Sequence, residues 1–306
     1  MPRPAKGEAP SGKAIRGADA TTDGGRWRAT TIPGHHDGRG DGLPVELDPN
    51  QRYDMPVVFG ASPFPDVTTM EKVQSVSVPF VTERDALAEL LPRFFEPGAV
   101  ARVTVTHTMN RGVDYMGGRG YNIVRVACAA VFRGESETVA GPYAPVIWES
   151  DAAPIILGRE RGGYAKIFGN IPDLTEQDDG CAFECYEYET RLLRAEVNGW
   201  TPVWGAELSA VQQATSEAVS LGWKYSPGMG SEPDADYPIR QVSNYDYAEA
   251  WRGSGTLTFD GPDATGAPYS SHIMEVLRRL PMLRHEPATM VRGSMKFPRT
   301  EHRRLR

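Results

Sequence analysis

Lys166 stands in the run Tyr164-Ala165-Lys166-Ile167-Phe168, the lone amine among aromatic and aliphatic neighbours. A lysine in such company is either a surface residue that snorkels its charge into water or an amine whose charge burial makes costly. Full desolvation of an amine lowers its pKa by up to ~3–5 units. A neutral amine attacks a ketone to form an imine, the usual start of covalent carbonyl chemistry by lysine.

Other residues could complete such a site. Gly117-Gly118-Arg119-Gly120-Tyr121-Asn122 leads into an apolar run. Its glycine spacing matches neither a dinucleotide fingerprint nor a P-loop, and no helix pattern follows. It is either a tight turn before a strand or a turn that delivers Arg119 or Tyr121 to the lysine. Arg159 and Glu160 are either a structural ion pair with helix-end contacts or pocket residues. Glu249 is either a hydrogen-bonded structural acid or a proton-transfer group. Arg119 and Arg159 are candidates to hold a substrate carboxylate by a bidentate fork, with Tyr164 beside them. Tyr121, Tyr164, Glu160 and Glu249 could move protons if they lie within ~3 Å of the reacting atoms.

The block around the lysine resembles a family signature. Gly158-Arg159-Glu160, a short spacer and Gly163-Tyr164-Ala165-Lys166 are similar to the segment around the Schiff-base lysine of the acetoacetate decarboxylase-like superfamily. By this resemblance Lys166 takes the nucleophile's place. The desolvated or cation-flanked lysine is that family's own mechanism and comes with the resemblance. Decarboxylases proper carry a second lysine directly after the first, and here Ile167 stands there. That departure shifts weight from decarboxylation of acetoacetate toward aldol or dehydration chemistry on pyruvate-like acids. The run Gly118-Arg119-Gly120-Tyr121-Asn122 is similar to one in divergent, aldolase-like members. Weaker matches fall in the family's order at Asp85-Ala86-Leu87, Glu249-Ala250-Trp251 and Leu280-Pro281, so the resemblance spans about Val76 to Pro298. In decarboxylases proper an acidic residue belongs near the Gly117–Asn122 region, and this stretch offers no clear equivalent.

The elements that must position these residues read as strands. Ala101 to Thr108 alternates with β-branched residues, and Ile123–Ala127 and Ala144–Trp148 read as further strands. Pro79 marks Val76–Val81 as an edge or bulged strand. Thr82 starts a helix carrying Leu87 and Leu90, and Asp151 caps another with Pro154 in its first turn. Ile155, Ile156 and Leu157 are that helix's packing face, and Gly162-Gly163 ends it. Lys166 then opens a strand that places Tyr164, Lys166 and Phe168 on one face. Phe183 to Val197 reads as one long strand, Pro202–Leu221 as strand or helix, and His272–Leu280 as a helix.

The expected fold is α+β, mostly antiparallel β with a few short helices; the resemblance implies a closed, cone-shaped β-barrel. With 306 residues and 40% hydrophobic content the chain can build a sizeable core. Residues 1–50 lack periodic apolar positions and are expected to be poorly ordered or extended, with His35-His36 solvated; residues 51–306 form the domain. The net charge of −7 speaks against a general nucleic-acid surface, and the basic C-terminus reads as a solvated tail. Cys128, Cys181 and Cys185 suggest neither a disulfide framework nor a metal site, and neither a cofactor nor a membrane span is expected. The lack of a signal-peptide pattern points to the cytoplasm. The function expected is a Schiff-base lyase on a small keto acid, of decarboxylase or aldolase/dehydratase type, acting through Lys166. The alternative is a catalytically inactive barrel that binds a small organic acid or apolar ligand. The family resemblance implies a homo-oligomer.

Overall fold

The computed structural model describes residues 47–216 and 218–306. The expectations for residues 1–46, the His35-His36 pair included, fall outside the described residues. Contacts divide the chain into Met1–Ser62 and Pro63–Arg306. In the first unit, the Asp48 carboxylate accepts from the Asn50 backbone N–H at 2.9 Å, and the Ser62 N–H donates to the Arg52 carbonyl at 2.8 Å.

The second unit is a mostly antiparallel sheet with four short helices. Its strands are Val67–Val81 (β1), Phe95–Pro97 (β2), Arg102–Val113 (β3), Tyr121–Arg133 (β4), Thr138–Glu149 (β5), Lys166–Phe168 (β6) and Thr175–Gln177 (β7). There follow Gly180–Glu187 (β8), Thr190–Pro202 (β9), Ala218–Ser226 (β10), Ala235–Phe259 (β11), Arg284–His285 (β12), Ala288–Pro298 (β13) and Arg303–Arg304 (β14). The helices are Arg84–Ala88 (α1), Ala152–Glu160 (α2), Gly205–Thr215 (α3) and Ser271–Leu277 (α4).

The ladder runs β10-β5-β4-β3-β1-β13-β11-β9-β8-β7. β10 pairs with β11 as well, antiparallel from Ala218↔Ser243 to Ser226↔Ala235, and meets β5 in parallel at Leu221↔Tyr143. β6 lies parallel to β5, reached through α2.

Alternation sorts the side chains of these strands onto two faces. Val76, Val78 and Phe80 of β1, Val103 and Val105 of β3, Val124 and Val126 of β4 and Trp148 of β5 share one buried apolar cluster. The helices and the β8–β9 hairpin supply Leu87, Phe183, Leu193, Met274 and Leu277 to it. The opposite face is mixed, with a smaller apolar cluster that includes Val73, Tyr121 and Met295 beside polar positions. Ser75 and Ser77 of β1 meet Thr108 and Thr106 of β3 there through hydroxyl contacts of 2.9 Å each.

Several local expectations change. Pro79 is not at an edge, since β1 is paired on both sides. It occupies the gap between the β13 ladder, which stops at Ser77, and the β12 ladder, which starts at Phe80, so its missing N–H interrupts neither. Thr82 does not cap α1; its backbone N–H bonds Ala101 and its hydroxyl is buried without a partner. The run from Phe183 to Val197 is a hairpin, because Tyr188 turns the chain at φ 51°. Pro202–Leu221 is strand end, helix and strand in succession. The basic C-terminus is docked, with Arg303 paired to Glu137 at 2.6 Å and Arg299 over the Tyr115 ring at 5.4 Å, while Arg303, Arg304 and Arg306 stay exposed to solvent. Cys128, Cys181 and Cys185 are buried and unbridged. Among the described residues, no helix is long and apolar enough to cross a membrane.

Candidate active site

The segment that holds Lys166 is fixed at both ends by local chemistry. Asp151 caps α2, its carboxylate accepting from the Ala153 N–H at 2.8 Å. At the other end the Gly162 N–H returns to Gly158 O at 3.1 Å, and Gly163 reverses the chain at φ +65°. A side chain at Gly163 would strike Lys224 of β10 and Ile239 of β11 at 2.6 and 2.9 Å, so the turn is pressed onto those strands. Gln241 donates to Gly162 O at 2.8 Å and Lys224 to Glu160 O at 2.7 Å, which clamps it further. The packing face of α2 differs from expectation. Pro154 and Leu157 are buried, whereas Ile156 is 50% exposed.

Beyond this turn β6 aligns with β5 as Ile147↔Lys166, Trp148↔Ile167 and Glu149↔Phe168. Pairing in register puts Lys166 on the same face as Ile147 and Glu149, opposite Trp148 and the apolar core. The Lys166 side chain is 12% exposed and that of Glu149 is 0% exposed. The Lys166 Nζ lies 2.8 Å from Glu149 Oε1 and donates to Pro154 O at 3.1 Å. The amine also sits 5.2 Å from the centroid of the Tyr164 ring. Distance makes the Lys166–Glu149 contact an ion pair, but its angles are not those of a directed hydrogen bond, and Oε2 has no partner. Burial pushes the Glu149 carboxyl above its ordinary range, with the Lys166 amine pulling the other way. Close packing holds the amine in place. A Cβ on Gly158 would come within 2.5 Å of the Lys166 Cδ and 2.6 Å of Nζ, so only glycine leaves room for the side chain there.

Two tyrosines extend the site. Tyr121 is buried, and its phenol is held well above its usual range by burial first and by the Glu149 charge second. Tyr164 is held up by burial too, and its ring lies tilted against Phe297 with centroids 5.9 Å apart. Both stay protonated through the neutral range and can donate a hydrogen bond. Tyr115, pushed up mainly by burial, lies farther out against Phe64 and Arg299.

The sequence candidates divide sharply. Lys166, Tyr121 and Tyr164 come together. Arg119 is exposed, with its guanidinium turned back onto Met116 O at 3.1 Å, so the glycine-rich turn delivers Tyr121 and not Arg119. Arg159 is exposed and donates to the Lys166 backbone carbonyl at 2.8 Å, a helix-end contact that braces the strand rather than the pocket. Glu160 is exposed and contributes only its carbonyl, and Glu249 is exposed beside a bulge opposite Arg292. Among the described residues no hydrogen bond or ion pair joins Glu160 or Glu249 to Lys166. Arg119 stands in the turn before β4, Arg159 and Glu160 at the end of α2, and Glu249 on an exposed position of β11.

Glu149 is the partner of the Lys166 amine that sequence reading missed. Its neighbours Trp148 and Ser150-Asp151 look like the end of a strand and a helix cap. Only the parallel pairing of β5 with β6 brings its carboxylate to the amine. The available signal was the alternation itself, which sets Ile147 and Glu149 opposite Val146 and Trp148. Among the described residues, no group of three or more His, Cys, Asp or Glu side chains is placed to hold a metal ion.

The sequence model described as acetoacetate decarboxylase (ADC) matches residues 54–302. The chain is similar in fold to the crystal structure of acetoacetate decarboxylase from Legionella pneumophila subsp. pneumophila str. Philadelphia 1, at 15% identity and a TM-score of 0.64, covering 78% of this chain and 87% of that one. It is similar also to the enduracididine biosynthesis enzyme MppR in complex with pyruvate, at 18% identity and a TM-score of 0.57 over 82% and 95% of the two chains. An acetoacetate decarboxylase-like enzyme from Sphingomonas wittichii RW1 matches at 14% identity and a TM-score of 0.60, over 84% and 99%. No curated protein matches the chain.

Proposed function

Because the chain belongs to the acetoacetate decarboxylase family, we propose that it is a Schiff-base-forming lyase acting on a small keto acid through Lys166. The observation that carries this reading is the buried contact of 2.8 Å between the Lys166 amine and Glu149 on the polar face of β5 and β6. The carboxyl is fully enclosed, burial makes it more basic than an ordinary carboxylate, and one of its oxygens is unpartnered. It is therefore suited to take a proton from the adjacent ammonium and leave a neutral amine.

The amine then adds to the ketone carbon. Loss of water from the carbinolamine gives the protonated imine, with a proton returned to the leaving hydroxyl by Glu149 or a neighbouring phenol. The imine draws electron density from the adjacent C–C or C–H bond. Decarboxylation releases carbon dioxide and leaves an enamine; deprotonation of the adjacent C–H gives instead an enamine that keeps the carboxylate and can attack an aldehyde in an aldol step. Ile167 provides no second ammonium beside the first, so the Lys166 ammonium must instead give up its proton to Glu149, 2.8 Å away. MppR is a neighbour known in complex with pyruvate, and pyruvate-like acids are accordingly the first substrates to test.

The ring of pairings β10-β5-β4-β3-β1-β13-β11 and back to β10 supports a closed barrel with the polar face inside. Arg125, Tyr164 and Tyr245 fit such a hollow. Each retains accessible surface, and yet burial dominates the shift of its pKa. A side chain lining an enclosed space has both properties.

A second reading, a barrel that binds an organic acid without turnover, draws on the two acceptors, Glu149 and Pro154 O, that already engage the amine. Reduction with borohydride in the presence of pyruvate or acetoacetate, followed by intact mass, separates the two. The lyase reading expects a stoichiometric adduct that Lys166→Ala abolishes. If no member of a keto-acid panel leaves an adduct, the binder reading takes its place.

A further inference from the structure

Arg125 is an enclosed cation that the Lys166–Glu149 pair does not explain. It interrupts the apolar run Ile123-Val124-Arg125-Val126-Ala127 in the middle of β4. Among the described residues it has no carboxylate partner. Its Nη2 reaches only Pro142 O, at 3.5 Å, and its Nε is buried with no hydrogen-bond partner at all. The groups that share its surroundings are the phenols of Tyr164 and Tyr245 and the Cys128 thiol, none of which neutralises it. Arg125 keeps some accessible surface, but its Nε is cut off from water, and a partly desolvated charge without a counter-ion costs stability. Such a group is expected where an anion arrives from outside.

Its position says which anion. Arg125 pairs in register with Ile147 across β4 and β5, and Ile147 pairs in register with Lys166 across β5 and β6. The three side chains therefore form one row on the polar face. Two inter-strand spacings, about 10 Å between Cα atoms, separate the guanidinium's strand from the amine's. Long side chains at both ends of the row can converge on one small molecule, with apolar Ile147 as the floor between them. Arg299 is the rival cation, since its Nη1 is also buried without a partner. It leans on the Tyr115 ring in the field of Asp114 and holds no place in the row.

We propose that Arg125 binds the carboxylate of the keto acid whose carbonyl Lys166 attacks, and so selects acids over neutral ketones. This deepens the Schiff-base reading and rests on it for the identity of the reacting group. The guanidinium fork matches the two oxygens of a carboxylate and would fill the hydrogen-bonding capacity now left open at Nε. Arg119 and Arg159, the arginines that the sequence suggested for this task, are exposed and tied to backbone carbonyls.

The test uses two probes, so that the carboxylate site and the imine are judged separately. Lactate, which has the carboxylate but no ketone, is titrated calorimetrically into the full-length wild type, Arg125→Gln and Arg125→Lys. Pyruvate and acetone are compared in borohydride trapping. Loss of charge-assisted hydrogen bonds should weaken lactate binding by about tenfold or more in Arg125→Gln. The half-saturating pyruvate concentration for trapping should rise by a similar factor, and acetone trapping should not change. The melting temperature of Arg125→Gln should stay level or rise, an outcome that a structural arginine would not give. Arg125→Lys, which keeps the charge without the fork, should fall between; should the glutamine variant fail to fold, weaker lactate binding in Arg125→Lys supports the assignment alone. Lactate binding that is undetectable in the wild type, or equal in wild type and variants, overturns it. Arg125-dependent lactate binding with no trapped adduct would preserve the carboxylate site and sink the Schiff-base reading instead.

Discussion

The two faces of β4 and β5 are built from alternate residues of the same strands and obey different rules. On one face Val124, Val126, Val146 and Trp148 join a packed apolar core, and the Trp148 indole donates to Ser270 Oγ at 3.0 Å, so its polar atom is satisfied. On the other face stand Tyr121, Arg125 and Glu149, and two of the three keep buried polar atoms without hydrogen-bond partners. The first face repays its burial in transfer free energy and close packing. The second face spends stability on desolvated charge. Cores normally avoid that expense, and where it persists the retained groups are held for a ligand or a reaction.

His107 is the informative exception on the apolar face. It points from β3 into the core against Phe183, with ring centroids 5.4 Å apart, and Nε2 lies 3.0 Å from Pro172 O. A carbonyl only accepts, so Nε2 carries the proton, and Nδ1 is buried without a partner. Burial lowers its pKa to about 4, with the Pro172 carbonyl and Asp173 opposing and Arg111 assisting. Lys166 and its neighbours are not touched by this residue, and its role is structural.

The comparison breaks most easily at Trp148. Truncation to alanine removes a fully buried indole from the core and should cost ~3–5 kcal/mol in urea unfolding. The pyruvate adduct should still form at low temperature; its complete loss in a folded variant would show that the two faces are not separable. His107 tests the apolar face through pH. The unfolded imidazole titrates near 6.5 and the folded one at about 4. Between those values the unfolded chain binds the extra proton, so stability is full above 6.5 and falls as pH drops toward 4. The total is about 3 kcal/mol by linkage, and His107→Gln should flatten that slope in urea titrations.

Glu149 should behave in the opposite way. Its folded pKa is raised above the ordinary 4.5, so its contribution is most favourable below 4.5 and is lost as pH rises through the folded value. Glu149→Gln should slow imine formation by about 100-fold while lowering stability less than the Trp148 change does. Trapping at the wild-type rate in Glu149→Gln would remove the carboxyl from the mechanism.

Much of the frame is visible in the chain order. Alternation through Ala101–Thr108 and Ala144–Trp148, the Asp151 cap and the Gly162-Gly163 stop predict elements that the structure contains, and Lys166 opens a strand as expected. Local chemistry governs these features, since a cap or a reversal depends on a handful of adjacent residues. Phe183–Val197 was harder. A tyrosine at positive φ turns the chain, and nothing in the Tyr186–Thr190 composition announces a reversal without glycine.

What the sequence determined alone was the candidate amine, its strand and the family to which the chain belongs. Which residues serve that amine was decided only by tertiary structure. Arg119 and Arg159, which the motifs suggested, face solvent; Glu149 meets the amine and Arg125 shares its sheet face because β4, β5 and β6 align in a particular register. Register is set by pairings between segments distant along the chain, and a shift of one residue would turn every side chain to the opposite face. The constellation around Lys166 is a property of that alignment and exists in no single stretch of sequence.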